Sequence, residues 1–220
     1  MNIVIIGHNE GETIERMSKE LDRFFPKDKK IWVLDRCDDN SEELCNKMNL
    51  NYIKTPNTWK GRMVSSARNL GLSVCDKDSD VLFLDGDRYP VSGHKDFHLY
   101  NSDILLFLVE NDERDDPKWF TDYSQIYGHL HNGFYSCGLF MKRNAIEKVL
   151  EFQGELFNTR IEKFWGVEDV HLGDVCFHLG LTCKIHKRMR LRGSFDKDKK
   201  IPLDAWRARV QERLPLNVIW

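Results

Sequence analysis

Polar and acidic side chains follow three hydrophobic segments of the chain, at the point where each segment ends. In an open parallel sheet the carboxyl ends of the strands meet at one edge, so we expect these side chains to gather there. Their negative charges would repel each other unless a cation lies among them, and hard oxygen ligands suit Mg²⁺ or Mn²⁺. The side chains are His8, Asn9 and Glu10 after residues 2–6, Asp35, Asp38 and Asp39 after residues 31–34, and Asp85 and Asp87 after residues 81–84.

A simpler interpretation is open for some of these acids. Helix capping and solvated loops account readily for Asp38 and Asp39. They account poorly for Asp85 and Asp87, which close a hydrophobic segment with only a glycine between them. The sequence therefore points to a divalent cation that carries a diphosphate beside Asp85 and Asp87.

A second pair of acids, Glu168 and Asp169, opens a predicted helix whose apolar stripe runs from Leu172 to Leu179. Backbone N–H groups in the first turn of a helix stabilise an ionised carboxylate. Because adjacent side chains diverge on a helix, one carboxylate can act as a general base while the other binds substrate or supports the structure. Capping alone would account for one of the two acids.

The elements that position these residues alternate between strands and helices, which is typical of a mostly parallel α/β sheet. An apolar stripe from Ile14 to Phe25 predicts a helix that ends before Pro26, and Ser41 is predicted as the N-cap of another. Further strands are predicted at residues 2–6, 31–34, 52–54, 81–84 and 104–109, a third helix at residues 62–72, and a loop at residues 110–118.

Composition limits the class of protein. Hydrophobic residues make up 41% of the chain and charged residues 31%, which excludes a disordered chain. The apolar runs are far shorter than the roughly 20 residues that span a bilayer. The six cysteines lack the two-residue spacing of zinc or redox motifs, so we expect buried thiols in a soluble, cytoplasmic protein.

Charge is distributed unevenly. The formal net charge is −2, but residues 184–213 hold 11 Lys or Arg and 4 Asp or Glu, a net of +7 that leaves −9 for the rest. The basic end predicts an extension, residues 187–220, on a single domain of residues 1–186. It could close over a donor diphosphate, bind a polyanion such as DNA through phosphate contacts, or be a solvated surface.

Several segments of the chain resemble motifs of the GT-A glycosyltransferases and occur in the same order as in that family. The resemblance is strongest to the inverting family 2-like group with its galactosyltransferase-like branch. Asp85-Gly86-Asp87 is similar to the Asp-any-Asp metal motif of that group, and residues 3–10 to its first strand and nucleotide loop. The other segments are Asp38-Asp39-Asn40-Ser41, Ala67-Arg68-Asn69-Leu70-Gly71, Gly138 to Arg143, and Trp165-Gly166-Val167-Glu168-Asp169.

The resemblance implies a GT-A (Rossmann-like) domain that transfers a sugar from a nucleotide-diphosphate sugar, most often a uridine donor, with Mn²⁺ or Mg²⁺. Expulsion of a diphosphate develops negative charge that a metal ion stabilises, and the attacking hydroxyl needs a base, which favours inversion. The implied metal ligands are Asp87, Asp85 and His186. The implied donor site comprises His8, Asn9, Glu10, Asp38, Asp39, Arg68 and Asp85.

The resemblance also assigns the acceptor side of the site. Asp169 is the implied base and Glu168 binds the acceptor together with Trp165, Gly166 and His171. His171 stands where the family commonly has Asp. For His186 the ordinary alternative is a polar residue at the end of a strand, and for Arg68 it is a structural salt bridge.

The acceptor predicted from these features is a saccharide or a hydroxymethylated base in phage-type DNA. The DNA base is considered because a compact enzyme without a membrane anchor suits an acceptor in the cytosol. Two other classes stay open. One is a phosphohydrolase of the haloacid dehalogenase type, whose Asp-any-Asp motif lies near the start of the chain and is followed by Gly and Thr rather than Arg88 and Tyr89. The other is a non-catalytic nucleic-acid-binding module, which the acids at the sheet edge disfavour.

Overall fold

The computed structural model describes residues 1–61, 63–92, 100–111, 136–161 and 167–193. Its helices are α1 (Ile14–Phe24), α2 (Ser41–Lys47), α3 (Val64–Ser73), α4 (Arg143–Gln153) and α5 (Val167–His178). Its strands are β1 (Asn2–Gly7), β2 (Lys29–Leu34), β3 (Tyr52–Lys54), β4 (Val81–Asp85), β5 (Tyr89–Ser92), β6 (Ile104–Asn111), β7 (Leu139–Met141) and β8 (Cys183–Gly193).

The strands form one mixed sheet in the order β3-β2-β1-β4-β7-β6-β8-β5. β1, β2, β3 and β4 are parallel, and β7 runs antiparallel to both of its neighbours, β4 and β6. β8 is parallel to β6, and β5 pairs antiparallel with β8 at the edge. The mostly parallel α/β sheet predicted from the alternation of elements is confirmed.

The core lies on both faces of the sheet. Ile3 and Ile5 of β1 point into a cluster with the buried face of α1, whereas Val4 and Ile6 point into a second cluster with α3, α4 and α5. Because successive strand side chains alternate between faces, a strand covered on both sides reads as a continuous apolar run. None of the helices in the described ranges is both long and apolar enough to cross a membrane.

Parallel pairing brings the carboxyl ends of β1, β2 and β4 to the same edge of the sheet. Since β7 runs the opposite way, its beginning, with Ser136 just before it, lies at that edge as well. The polar segments that follow the strands therefore come together where the sequence predicts them.

Most predicted boundaries agree with the structure, with three differences. Ser41 is the first residue of α2 rather than its N-cap, which is Asn40. β6 extends to Asn111, into the segment predicted as a loop, and the rest of that loop lies outside the described residues. The predicted domain boundary after residue 186 falls inside β8, which continues to Gly193, so the basic segment begins within the sheet.

α3 approaches the sheet closely at Gly71. A Cβ at this position would be 2.4 Å from Cγ1 of Val4 and 2.9 Å from Cγ2 of Val33. Both valines lie in the buried core, so they have little space in which to retreat. The absent side chain thus sets the distance between α3 and the first two strands.

We expect Gly71→Ala to lower the free energy of unfolding by about 1–3 kcal/mol through overpacking, despite the helix preference of alanine. Urea unfolding measures the change. Ser73→Ala, an exposed position in the same helix, is the matched control and should change stability little. Equal stability of Gly71→Ala and the unmodified protein would contradict this account of the α3 contact.

Candidate active site

The loop after β1 is joined to the loop after β2 by reciprocal hydrogen bonds. Asn9, whose φ is +60°, donates through Nδ2 to Asp38 and accepts the Asp38 backbone N–H at 2.9 Å. The backbone N–H of Gly11 donates to Oδ2 of Asp39 at 2.8 Å, and His8 Nδ1 lies 2.6 Å from the carbonyl oxygen of Asp35. Two loops predicted to bind the nucleotide are therefore held in one fixed arrangement.

The acids after β2 have local partners. Asp39 also accepts the backbone N–H of Ser41 at 3.0 Å. Arg36 donates to both carboxylate oxygens of Asp35, at 2.7 and 2.6 Å, and Thr55 adds a third hydrogen bond. Burial opposes ionisation of Asp35, but the hydrogen bonds from Arg36 and Thr55 and the charge of Arg36 hold its pKa below the ordinary value.

The turn Asp85-Gly86-Asp87 packs directly against the end of β1. The Gly86 N–H donates to the carbonyl oxygen of Ile6 at 2.7 Å, and the Thr13 hydroxyl donates to the Gly86 carbonyl at 2.9 Å. A Cβ on Gly86 would be 3.0 Å from Cγ of Glu10 and 3.1 Å from the Ile6 carbonyl. The glycine between the two aspartates allows this close approach.

Glu10 lies beside this turn in an acidic environment. Burial and the negative charges of Asp87 and Asp85 raise the pKa of Glu10 from 4.5 to about 7, although a hydrogen bond from Thr13 opposes the shift. Burial and the two aspartates both disfavour the ionised form of Glu10, and a nearby positive charge would favour it. The turn is therefore a place where a cation would be stabilised.

Arg68 lies between this turn and the start of α5. Its Nη2 donates to Oδ1 of Asp85 at 3.0 Å, and its Nη1 is 3.7 Å from Oε1 of Glu168 and 3.7 Å from Oδ1 of Asp169. The side chains of Arg68 and Glu168 are only 4% and 2% exposed. One buried guanidinium therefore faces three carboxylates from two different elements.

Asp169 is an acid of this group with a direct hydrogen bond from the segment just before β7. Its Oδ1 accepts a hydrogen bond from the Ser136 hydroxyl at 2.6 Å. Burial and the charge of Glu168 raise the pKa of Asp169 from 3.8 to about 7, against the opposing effects of Arg68 and Ser136. A carboxylate that changes protonation near neutral pH suits general base catalysis.

Four residues of the Ala67-to-Gly71 segment of α3 each make a different contact that places the helix or its side chains. Ala67 is fully buried, Arg68 faces the carboxylates, and Gly71 permits the close approach to the sheet. Asn69 donates to the Phe157 carbonyl at 2.7 Å and accepts the Phe157 N–H at 3.0 Å. Phe157 packs edge-on against Phe83 of β4 at 5.1 Å, so Asn69 fixes the segment before α5 to the centre of the sheet.

His186 is buried at an irregularity in β8. Pairing with β6 passes from Phe107 opposite His186 directly to Leu108 opposite Arg190, so β8 carries three extra residues there. Nδ1 of His186 accepts the backbone N–H of Met189 at 2.9 Å, and the ring packs 4.6 Å from that of Tyr100. These contacts give the ring a structural role, and its role as a metal ligand stays a prediction.

Beyond this irregularity, β8 presents a row of arginines. Arg188 and Arg190 are exposed, whereas the alternating Met189 and Leu191 are buried in the core. The strand ends at Gly193, where a Cβ would be 1.9 Å from the carbonyl oxygen of Asp87. This strand, which carries part of the basic end of the chain, thus leads to the Asp85–Asp87 turn.

Comparisons with known proteins agree with this geometry. The family model for Glycosyl transferase family 2 matches residues 2–94, and no curated protein sequence matches the chain. S. aureus TarS 1–349 is 17% identical, with a TM-score of 0.63 over 88% of this chain and 60% of that one. Mannosyltransferase PcManGT from Pyrobaculum calidifontis is 15% identical, with a TM-score of 0.63 over 96% of this chain and 61% of that one.

Glucosyl-3-phosphoglycerate synthase from Mycobacterium tuberculosis is 14% identical, with a TM-score of 0.64 over 96% of this chain and 77% of that one. The chain has the GT-A glycosyltransferase fold. The resemblance stated from the sequence motifs is thereby confirmed for the fold. The GT-A domain described here spans about 60% of the length of the TarS chain that it matches.

A divalent metal is implied by this fold, and the donor set of the GT-A domain fits one. Asp85 and Asp87 supply hard carboxylate oxygens beside Glu10, whose pKa is raised by burial and by the charges of these two aspartates. Within the described ranges, no group of three His, Cys, Asp or Glu side chains forms a complete ligand set. Mg²⁺ and Mn²⁺ are commonly held by one or two carboxylates, with substrate phosphates and water as the other ligands.

The structure brings together most of the predicted site, namely the donor loops, the Asp85–Asp87 turn, Arg68 and the acids of α5. Trp165 and Gly166, predicted to bind the acceptor, lie outside the described residues. His171 is buried, and its Nε2 pairs with Nδ2 of Asn158 at 3.2 Å. Sequence reasoning missed Ser136, because nothing in its neighbouring residues indicates a contact with α5.

Proposed function

We propose that this GT-A domain is a metal-dependent glycosyltransferase that moves a sugar from a nucleotide-diphosphate donor to an acceptor hydroxyl with inversion. The observation that carries the proposal is the pairing of two acidic groups across one site. Asp85 and Asp87 lie at the end of β4, and Glu168 and Asp169 lie at the start of α5, with Arg68 between them. This arrangement separates a position for the leaving group from a position for a base.

In the proposed reaction the loops after β1 and β2 bind the nucleotide and Asp85 and Asp87 hold the cation. A divalent cation, when bound, would neutralise the charge that develops on the diphosphate. Asp169 takes the proton from the acceptor hydroxyl while the hydroxyl oxygen forms a bond to the anomeric carbon of the donor sugar. The bond between that carbon and the diphosphate breaks, and the nucleoside diphosphate leaves. Ser136 keeps the carboxylate in place, and Glu168, almost fully buried, supports the same helix turn.

The proposed donor is a uridine diphosphate sugar and the proposed cation is Mn²⁺. One TarS structure contains UDP, and the Mycobacterium tuberculosis synthase structure contains UDP and Mn²⁺. PcManGT was solved with GDP-Man and Mn²⁺, so a guanosine donor is the alternative. The acidic turn of this chain suits either nucleotide, because a metal held there would act on the diphosphate, which uridine and guanosine donors share.

The proposed acceptor carries phosphate groups, with DNA containing hydroxymethylated bases as the specific candidate and a saccharide as the alternative. The exposed Arg188 and Arg190 lie on a strand that ends against Asp87. Phosphate contacts from such a row would orient a polyanion beside the site without reading its sequence. A non-catalytic nucleic-acid-binding module would not need carboxylates at this position.

Removal of the Asp87 carboxylate tests the metal site. We expect Asp87→Ala to weaken binding of UDP in the presence of Mn²⁺ by at least about 100-fold, since a carboxylate ligand is lost while the core is untouched. Calorimetry measures the affinity, and a thermal melt establishes that the variant is folded. Asp76→Ala, an exposed acid outside the site, should bind UDP like the unmodified protein. Undiminished metal-dependent binding by Asp87→Ala would exclude this ligand assignment.

The pH dependence of transfer tests the base. The base acts in its ionised form, so the rate should fall as the pH drops below about 7, the raised pKa of Asp169. Ser136→Ala removes a hydrogen bond to the ionised carboxylate and should move this fall to higher pH by about one pH unit. Activity at pH 9 should then be nearly unchanged.

Ser102→Ala is the matched control for Ser136→Ala, because Ser102 is also a buried serine with a 2.7 Å hydrogen bond. Its pH profile should stay that of the unmodified protein. Asp169→Asn should retain donor binding and lose transfer. An unshifted profile for Ser136→Ala, or full turnover by Asp169→Asn, would move the base to another residue, with Glu168 the next candidate.

A transfer assay with a radiolabelled donor decides between acceptors. We expect incorporation into duplex DNA that contains hydroxymethylated cytosine and none into the same duplex with cytosine. The double variant Arg188→Gln/Arg190→Gln should lower incorporation and reduce its dependence on salt concentration. Transfer to a neutral oligosaccharide with no transfer to modified DNA would establish the saccharide alternative.

A further inference from the structure

Arg68 occupies a position that differs from the one expected of a nucleotide ligand. Its side chain is 4% exposed, and its guanidinium carbon lies 5.3 Å from the centre of the Phe157 ring. The groups within 4 Å of its Nη atoms include three carboxylates. A guanidinium enclosed in this way is directed at the protein and not at a diphosphate in the cleft.

The three carboxylates belong to opposite halves of the site. Asp85 ends β4 and is 38% exposed, whereas Glu168 and Asp169 begin α5. Without a positive charge between them, the two halves would repel each other at this distance. Arg68 is the described cation that contacts both halves, and α3, which carries it, is held to the sheet by the close approach at Gly71.

We propose that Arg68 is a positioning residue shared by the donor and acceptor halves of the site, holding Asp85 and the Glu168–Asp169 pair at a fixed separation without contacting the nucleotide. The inference rests on the proposed function for the roles of Asp85 and Asp169. It replaces the direct diphosphate contact that the sequence suggests for Arg68. The planar guanidinium suits this task, because it donates to several acceptors from one rigid group.

The hydrogen bonding of Arg68 is uneven. Nη2 makes a hydrogen bond with Asp85, whereas Nη1 and Nε are buried and have no hydrogen-bond partner among the residues that the structure describes. Nη1 is 3.7 Å from both acids of α5, which is within range of charge attraction but too long for a hydrogen bond.

A double-mutant cycle on stability tests the contact without any ligand. We expect Arg68→Met to lower Tm by about 10 °C, because three acids lose their shared counter-charge. Asp169→Asn placed on Arg68→Met should recover part of that loss, since one stranded carboxylate is removed. The recovery should be larger at pH 8.5 than at pH 5.5, because Asp169 is ionised in the folded protein only above its raised pKa.

The groups that face Asp169 in this comparison are Glu168 on its own helix, Arg68 on α3, Asp85 at the end of β4 and Cys137 before β7. The matched cycle uses Arg143→Met and Glu147→Gln, an ion pair between neighbouring turns of α4 with a largely exposed acid. Its coupling should be close to zero. Arg68→Lys keeps the positive charge, so its Tm should stay close to that of the unmodified protein. This variant allows the test to be made even if Arg68→Met does not fold.

Binding and turnover give the second measurement. Calorimetry with UDP and Mn²⁺ should give an affinity for Arg68→Met and Arg68→Lys within about 3-fold of the unmodified protein. Turnover of Arg68→Met should fall by at least about 100-fold at pH 7, with the donor KM little changed. The fall of its rate at acidic pH should also begin at a higher pH than in the unmodified protein. Arg68→Lys should restore much of the turnover, and its rate should fall at the same pH as that of the unmodified protein.

Two results would overturn the proposal. Additive Tm changes for Arg68→Met and Asp169→Asn would mean that the two residues are not coupled. A loss of UDP affinity of 10-fold or more in both Arg68 variants would mean that Arg68 contacts the nucleotide after all. Absence of nucleotide binding by the unmodified protein would instead refute the proposed function, and the stability cycle would still decide the role of Arg68.

Discussion

Negative charge collected at one edge of a parallel sheet is the constraint that organises this molecule. Pairing of β1 with β2 and β4 places acids from three strand ends side by side. Most receive a local partner: Arg36 binds Asp35, and backbone N–H groups bind Asp39. At Glu10, burial and then the negative charges of Asp87 and Asp85 raise the pKa, so a cation beside this group would be stabilised.

α3 connects the two halves of the site because one short segment meets three separate requirements. Gly71 allows the helix to lie against β1 and β2, and this places the preceding turn beside the end of β4. Asn69 then binds the backbone of Phe157, ahead of α5, while Arg68 on the same turn reaches Asp85. A change in the depth of this helix would therefore move the donor and acceptor residues relative to each other.

Much of the fold could be predicted from sequence, because buried strands and amphipathic helices have periods that follow from packing. The Asp85–Asp87 turn and the acids of α5 were also predictable, since each directly adjoins a recognisable element. Contacts between distant segments were not, and the hydrogen bond from Ser136 to Asp169 spans 33 residues with no local signal. Which carboxylates Arg68 contacts could not be predicted for the same reason, since this depends on how three elements pack.

The irregularity in β8 shows how one strand can serve both the core and the site. Up to His186 the strand is paired with β6 in regular register, and the three extra residues that follow would leave the Met189 N–H outside that ladder. Nδ1 of His186 accepts this N–H, so the buried ring stabilises the bulge from within. Bulges redirect the residues that follow them, and here those residues include the exposed arginines that lead to Gly193 and the Asp87 backbone. His186, which the family resemblance suggests as a metal ligand, thus has a structural role that accounts for its position. It shapes the strand that brings positive charge to an acidic site.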